Sequence, residues 1–294
     1  RETVVRIVHF LLKTAPQLGV RQGDQVVALK LVAPELPDDL AGFLEGGEVN
    51  LKRAAAAAAA APSAAKLDYD ELQLLPPTLR PGKIICLGLN YNDHAAEAGM
   101  KAADYPVLFM RGASSLVAPD MPILLPKCSE KLDYEGELVA VIGKRARHVR
   151  LDQALSHVAG YSIFNDASIR DYQLRTSQWT IGKNFDGTGA FGPEFVSADE
   201  LPAGAKGLKL ETRLNGAVVQ SANTDDMVFD VIQTVSLISE CMTLEPGDLL
   251  VMGTPSGVGA ARKPPLWMKA GDTVEVEIER IGVLRNTIRE EALN

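Results

Sequence analysis

Two carboxylates stand two residues apart in Asp133-Tyr134-Glu135-Gly136-Glu137, directly ahead of the apolar run Leu138-Val139-Ala140-Val141-Ile142. Such a run, closed by Gly143, is expected to be a buried strand. Side chains at i and i+2 of a strand share a face. Glu135 and Glu137 would then project together at the mouth of a dry strand, where like charges repel and desolvation adds to the cost. A divalent cation with oxygen ligands would resolve that conflict. The same spacing also occurs on solvated faces. Glu275, Glu277 and Glu279 alternate with Val274, Val276 and Ile278, which predicts a half-exposed strand. A third carboxylate would tip the balance toward an ion. Asp166, at the end of the strand Tyr161-Ser162-Ile163-Phe164, stands where a ligand or active-site residue would sit, although that position also suits a helix N-cap.

Other groups could do chemistry nearby. Asn92 or Asp93 can cap a helix beginning near His94. His94 and Glu97 would then share one helical face, and a histidine oriented by a carboxylate is a competent general base. An incidental pair on a surface helix is the plain alternative. Arg111 ends the strand Pro106–Met110 and could clamp a substrate carboxylate or lie solvated. Lys183 sits in a glycine-bounded loop over 178–187. It is not a phosphate-loop lysine, because the upstream glycine and the following Ser or Thr are missing.

These residues need elements to hold them. Lys83–Leu89 is predicted as a buried strand. Residues 152–159 are predicted as a short helix, and residues 167–175 continue helically after Asp166. Leu208–Leu214 and Ala217–Gln220 form a hairpin about Asn215-Gly216. A helix over 226–241, capped by Thr224, carries Val228, Val231, Ile232, Val235 and Ile238 as a core stripe. The first eighty residues differ: β-rich runs at Val4–Val8 and Gln25–Leu29, a short helix at 38–45, and the alanine run Ala54–Ala61. That run reads as a surface helix or as low-complexity chain. Pro76-Pro77 and Pro81 mark a boundary, giving a small N-terminal unit over 1–79 and the remainder over 80–294. His9, His148 and His157 are expected to be structural or solvated.

The 294 residues carry a net charge of −8. That charge argues against nucleic acid, and a small anionic substrate would need local cations or a metal. Cys86, Cys128 and Cys241 form no CxxC pair, so each is expected as a small buried hydrophobe in a reducing, cytoplasmic setting. No apolar run approaches membrane-span length. The glycine-rich stretch Gly253–Gly259 lacks a dinucleotide pattern, so no NAD is expected.

The ordered set Asn90-Tyr91 with His94 and Glu97, Asp133-Tyr134-Glu135-Gly136-Glu137-Leu138, Asn165-Asp166, Arg170-Asp171-Tyr172-Gln173, Gly182-Lys183 with Phe185-Asp186, and Gly253-Thr254-Pro255 with Gly257-Val258-Gly259 resembles the fumarylacetoacetate hydrolase family over roughly residues 80–288. The likeness is greatest to compact members that act on acylpyruvates. The resemblance implies a mostly β, α+β fold: a mixed β-sandwich or roll around a metal, with a small N-terminal α+β domain, in a homodimer. It implies Mg²⁺ or Mn²⁺ on Glu135, Glu137 and Asp166, a His94–Glu97 dyad, Lys183 beside the metal, and Gln173 and Thr254 on the substrate. Arg111 stands where many relatives carry lysine. The implied reaction is hydrolysis of the C–C bond of a 2,4-dioxo acid to pyruvate and a carboxylic acid. Decarboxylation of oxaloacetate, isomerisation or hydration of an unsaturated oxo acid, and opening of a sugar-derived dioxo acid are alternatives on the same metal.

Overall fold

The structure, a computed structural model, describes residues 4–97 and 104–292, without the side chains of residues 94–96. The chain is mostly β with short helices, as expected. Among the described residues the largest sheet has twelve strands. At its centre lie Gly189–Ser197, Val158–Asp166, Gly136–Ile142, Leu249–Val251 and Ile84–Gly88, in that order. A five-stranded sheet, containing Lys209–Leu214, Thr273–Ile278 and Gly282–Glu290, packs over it. The approach is close: a Cβ on Gly136 would stand 2.3 Å from Thr212 Oγ1 and 2.9 Å from Val276 Cγ1.

The strand Gly136–Ile142 is buried along its whole length because both of its faces are covered. Leu138, Ala140 and Ile142 join the core shared with Leu210, Val274 and Val276. Val139 and Val141 join a second core with Phe43, Leu40, Phe191 and Phe195. Glu137 keeps the parity of Val139 and Val141, and Asp166 keeps that of Phe164, which lies in the same second core. The antiparallel register Gly136↔Asn165 sets Asp166 opposite Glu135, whose carbonyl accepts the Asp166 amide at 2.8 Å. Three carboxylates from two neighbouring strands thus face one way.

The N-terminal strands do not close on themselves. Arg6–Leu12 pairs with Gly189–Ser197, Arg6 opposite Val196 and Ile7 opposite Phe195, so the first eighty residues extend the central sheet. The alanine run is the end of a helix, Gly47–Ala59, whose Ala54 and Ala58 are buried in the second core.

Several local expectations need correction. The helix expected over 226–241 begins at Val231 and is capped by Asp230, whose side chain accepts from Gln233 N while Gln233 bonds back. Thr224 instead donates to the Ala205 carbonyl. The 178–187 stretch contains a helical turn, Thr180–Lys183. Residues 151–157 form a 3-10 helix. Cys86 is buried, but Cys128 and Cys241 are exposed. The hairpin about Asn215 and Gly216, both at positive φ, and the half-exposed strand of Glu275 and Glu277 are as expected. No helix among the described residues is long and apolar enough to cross a membrane.

Candidate metal centre and substrate cavity

Oxygens of Glu135, Glu137 and Asp166 all lie within 4.8 Å of one another, and all three residues are buried. Strand alternation supplies the first two and antiparallel register the third, so the expected trio does assemble. Its charge is only partly answered by the chain. Lys183 Nζ donates to Glu135 Oε2 and Asp166 Oδ2, each at 2.6 Å. Arg170 Nη2 donates to Glu135 Oε1 at 2.5 Å. Glu137 accepts the Gly253 backbone N–H at 2.6 Å, and no cation hydrogen-bonds to it among the described residues.

The electrostatics follow from burial and crowding. Burial pushes the Glu137 carboxyl well above its ordinary range, and Asp166 and Glu135 push it further. Asp166 is also raised, by burial first, against the opposing pull of Lys183 and Arg111. Burial alone would lower Lys183, but Asp166 and Glu135 more than offset it and the ammonium is held charged. The donor set fits a hard divalent ion: carboxylate oxygens, closely spaced and short of positive charge at Glu137.

A cavity of about 290 Å³ opens beside the cluster, with Glu135, Glu137, Lys183, Arg170, Gln173 and Thr254 among its lining. Apolar side chains, including Leu87, Phe109, Leu174, Trp179 and Val258, complete its walls. Gln173 spends its carboxamide oxygen on Arg170 Nη1 at 2.8 Å. Its NH₂ has no protein acceptor among the described residues, so it remains a donor for a ligand. Thr254 Oγ1 donates to the Gly136 carbonyl at 3.0 Å and accepts from Gln220 Nε2 at 2.9 Å. Glu97 lines the cavity too, its two oxygens each 3.1 Å from the Gly257 amide. His94 lies on the same helix, Asn92–Glu97, but its side chain is outside the described residues.

Arg111 departs from expectation. It does not line the cavity. Its guanidinium is buried and donates to Asp166, to Thr188 Oγ1 at 2.8 Å and to Ser115 Oγ at 3.2 Å. An arginine buried in this way, with four of its five N–H groups given to protein acceptors, orients Asp166 and does not face the substrate cavity.

Sequence reasoning assigned no role to Asp133 and Arg170. Asp133 accepts Arg170 Nε at 2.8 Å and the amides of Gly259 and Ala260 at 2.7 and 2.9 Å. It thereby ties the Glu135 clamp to the Gly253–Gly259 stretch. Both residues stood inside quoted motifs, yet their contact spans 37 positions and no local pattern discloses it.

Comparison with known proteins agrees with this architecture. Residues 83–289 match the family model of the fumarylacetoacetate (FAA) hydrolase C-terminal domain. A mitochondrial oxaloacetate tautomerase of Homo sapiens is 40% identical over 290 residues, 97% of this chain and 91% of that protein. The fumarylacetoacetate hydrolase structure from psychrophilic Exiguobacterium antarcticum superposes with a TM-score of 0.86 at 36% identity, covering 98% of this chain and 100% of that one. Maleylpyruvate hydrolase from Sphingobium, solved with manganese(II) and pyruvate, gives 0.82 at 25% identity, with 98% and 100% covered. By its sequence over most of its length, and by the fold that sets its three buried carboxylates together, this chain belongs to the fumarylacetoacetate hydrolase family.

Proposed function

We propose that this chain is a divalent-metal-dependent enzyme that interconverts the keto and enol forms of a short 2-oxo acid, oxaloacetate foremost. The observation that carries this reading is the buried trio Glu135, Glu137 and Asp166 beside a small cavity, with Lys183 held between two of them. The mitochondrial oxaloacetate tautomerase that matches nearly the whole chain supports it. Mg²⁺ or Mn²⁺ bound there would supply Lewis-acid polarisation of the 2-oxo carbonyl. Lys183 gives two of its three N–H donors to carboxylates, and the third is available to an enolate oxygen. The Gln173 NH₂ orients the substrate carboxylate, and Thr254, its hydroxyl proton held by the Gly136 carbonyl, lines the cavity beside it. The apolar walls exclude water and so strengthen each of these interactions. The histidine–glutamate dyad that the resemblance implies, His94 with Glu97, would move the proton at the carbon next to the 2-oxo group.

A second reading is C–C hydrolysis of a 2,4-dioxo acid. The likeness to maleylpyruvate hydrolase favours it, as does the Glu97 carboxylate at the cavity, where it could orient a base for water. One set of assays separates the two. EDTA-stripped protein is mixed with enol-oxaloacetate and the enol absorbance is followed. The expected result is no acceleration until Mg²⁺ or Mn²⁺ is restored. Pyruvate release from a panel of acylpyruvates without acceleration of enol decay would replace the tautomerase reading by hydrolysis. CO₂ release from oxaloacetate would point to decarboxylation. The homodimer implied by the family is part of the proposal, and sedimentation of the full chain checks it.

A further inference from the structure

The cavity wall is chemically uneven. Its lining combines the carboxylates and Lys183 with the indole of Trp179 and the side chains of Leu87 and Leu174. Two ring contacts connect the charged and apolar groups. Lys183 Nζ lies 4.9 Å from the Phe109 ring centroid. Phe109 meets Trp179 edge-on, with 5.6 Å between centroids and 65° between planes. Phe109 therefore stands between the Lys183 ammonium and the Trp179 indole, touching both. The backbone joins them again, because the Lys183 N–H donates to the Trp179 carbonyl at 3.2 Å.

Two glycines seat this helical turn. A Cβ on Gly182 would stand 2.3 Å from the Gln173 backbone nitrogen. A Cβ on Gly88 would stand 2.3 Å from Trp179 Cζ3 and 2.8 Å from Cη2. Gly88 is not among the glycines at positive φ, so its backbone would accept alanine. What needs the missing side chain at position 88 is the indole. The sheet has been cleared at one point so that a large flat ring can close the cavity.

We propose that Trp179 is the specificity wall of this site: its indole, admitted by Gly88, limits how far a 2-oxo acid extends from its carboxylate end and selects short chains over long unbranched ones. The proposal rests on the cavity being a 2-oxo acid site. It is independent of which reaction follows.

The test is calorimetric titration of the Mn²⁺-loaded full chain with oxalate, 2-oxobutyrate and 2-oxooctanoate. The wild-type protein is expected to bind the first two and to bind 2-oxooctanoate weakly. A methylene in an apolar pocket discriminates by about 10–200-fold, so Trp179→Ala is expected to improve 2-oxooctanoate relative to oxalate by about tenfold or more. Trp179→Phe should fall between, and it retains a ring against Phe109 should the alanine variant fail to fold. Gly88→Ala should change the ratio in the wild-type background and leave it unchanged beside Trp179→Ala. Equal weakening of all three ligands in the Trp179 variants would show that the indole merely props Lys183, and would overturn the proposal. An unchanged ratio would overturn it as well, while leaving the 2-oxo acid reading in place. Failure of both oxalate and 2-oxobutyrate to bind the wild-type protein would remove that reading, and the wall with it.

Discussion

Glu137 is the residue at which the charge arithmetic of the site fails to close. Glu135 and Asp166 each have cationic partners, whereas Glu137 has the Gly253 amide. Its carboxyl, raised by burial and then by Asp166 and Glu135, holds its proton to higher pH than a free glutamate. An ion must displace that proton. The apparent affinity for Mn²⁺ should therefore rise with pH, with protons released on binding, as titration in buffers of different ionisation enthalpy would show. Glu135→Gln should abolish turnover and metal binding together, since it removes a ligand and leaves Lys183 and Arg170 short of a carboxylate. Full activity in that variant would contradict the assignment. His9 acts in the opposite sense on stability. It is buried, its Nε2 has no partner among the described residues, its Nδ1 meets the Pro76 carbonyl at 2.8 Å, and burial lowers its pKa. The unfolded chain then binds more protons than the folded one. Its contribution is fully present above the unfolded value of about 6.5 and is lost as pH falls below it. His9→Asn should flatten the acid side of the urea-denaturation profile.

At the scale of elements, caps and registers decide where side chains end up. The helix Val231–Cys241 starts where Asp230 and Gln233 form a reciprocal box, not at the earlier Thr224. Thr and Asp are both favoured N-cap residue types, so type alone does not decide between the two positions. Met227, extended at φ −63 and ψ 135, separates the 3-10 turn Thr224–Asp226 from the helix. Asp230→Ala should cost about 1 kcal/mol in urea denaturation, because a helix-start amide loses its acceptor. The exposed Lys206 pair lost with it should add little. The turn carrying Trp179 and Lys183 shows the same principle. Its sequence offers too few residues for a periodic signal, and it is held by Gly88 and Gly182, each matched to one neighbour.

For the whole molecule, the decisive feature is a sheet that continues through the proline-marked boundary. Arg6–Leu12 pairs with Gly189–Ser197, and Phe43 and Leu40 share a core with Val139, Val141 and Phe195. Arg6 adds an ionic tie: it reaches the buried Glu194 at 2.8 Å, Glu200 at 2.8 Å and the Ile281 carbonyl at 3.1 Å. A chain beginning at residue 80 would expose that core and strand Glu194. Such a truncation should be insoluble or unfolded, and the full chain should melt in a single calorimetric transition. Two separate transitions, or a folded truncation, would refute this.

The strands, the hairpin at Asn215-Gly216 and the acidic pair were legible in sequence because alternation and turn chemistry act over a few residues. The resemblance supplied Asp166, Lys183 and Gln173 from motif order. What sequence could not supply was pairing at long range. Only the register between two strands sets Asp166 opposite Glu135, and only packing turns Arg111 onto Asp166 and away from the cavity. Burial was the other unreadable quantity. The same Glu-x-Glu spacing is dry at Glu135 and Glu137, where two cores enclose the strand, and wet at Glu275 and Glu277, where one face meets solvent. Spacing fixes which way side chains point, but the number of layers above them decides whether their charge must be answered.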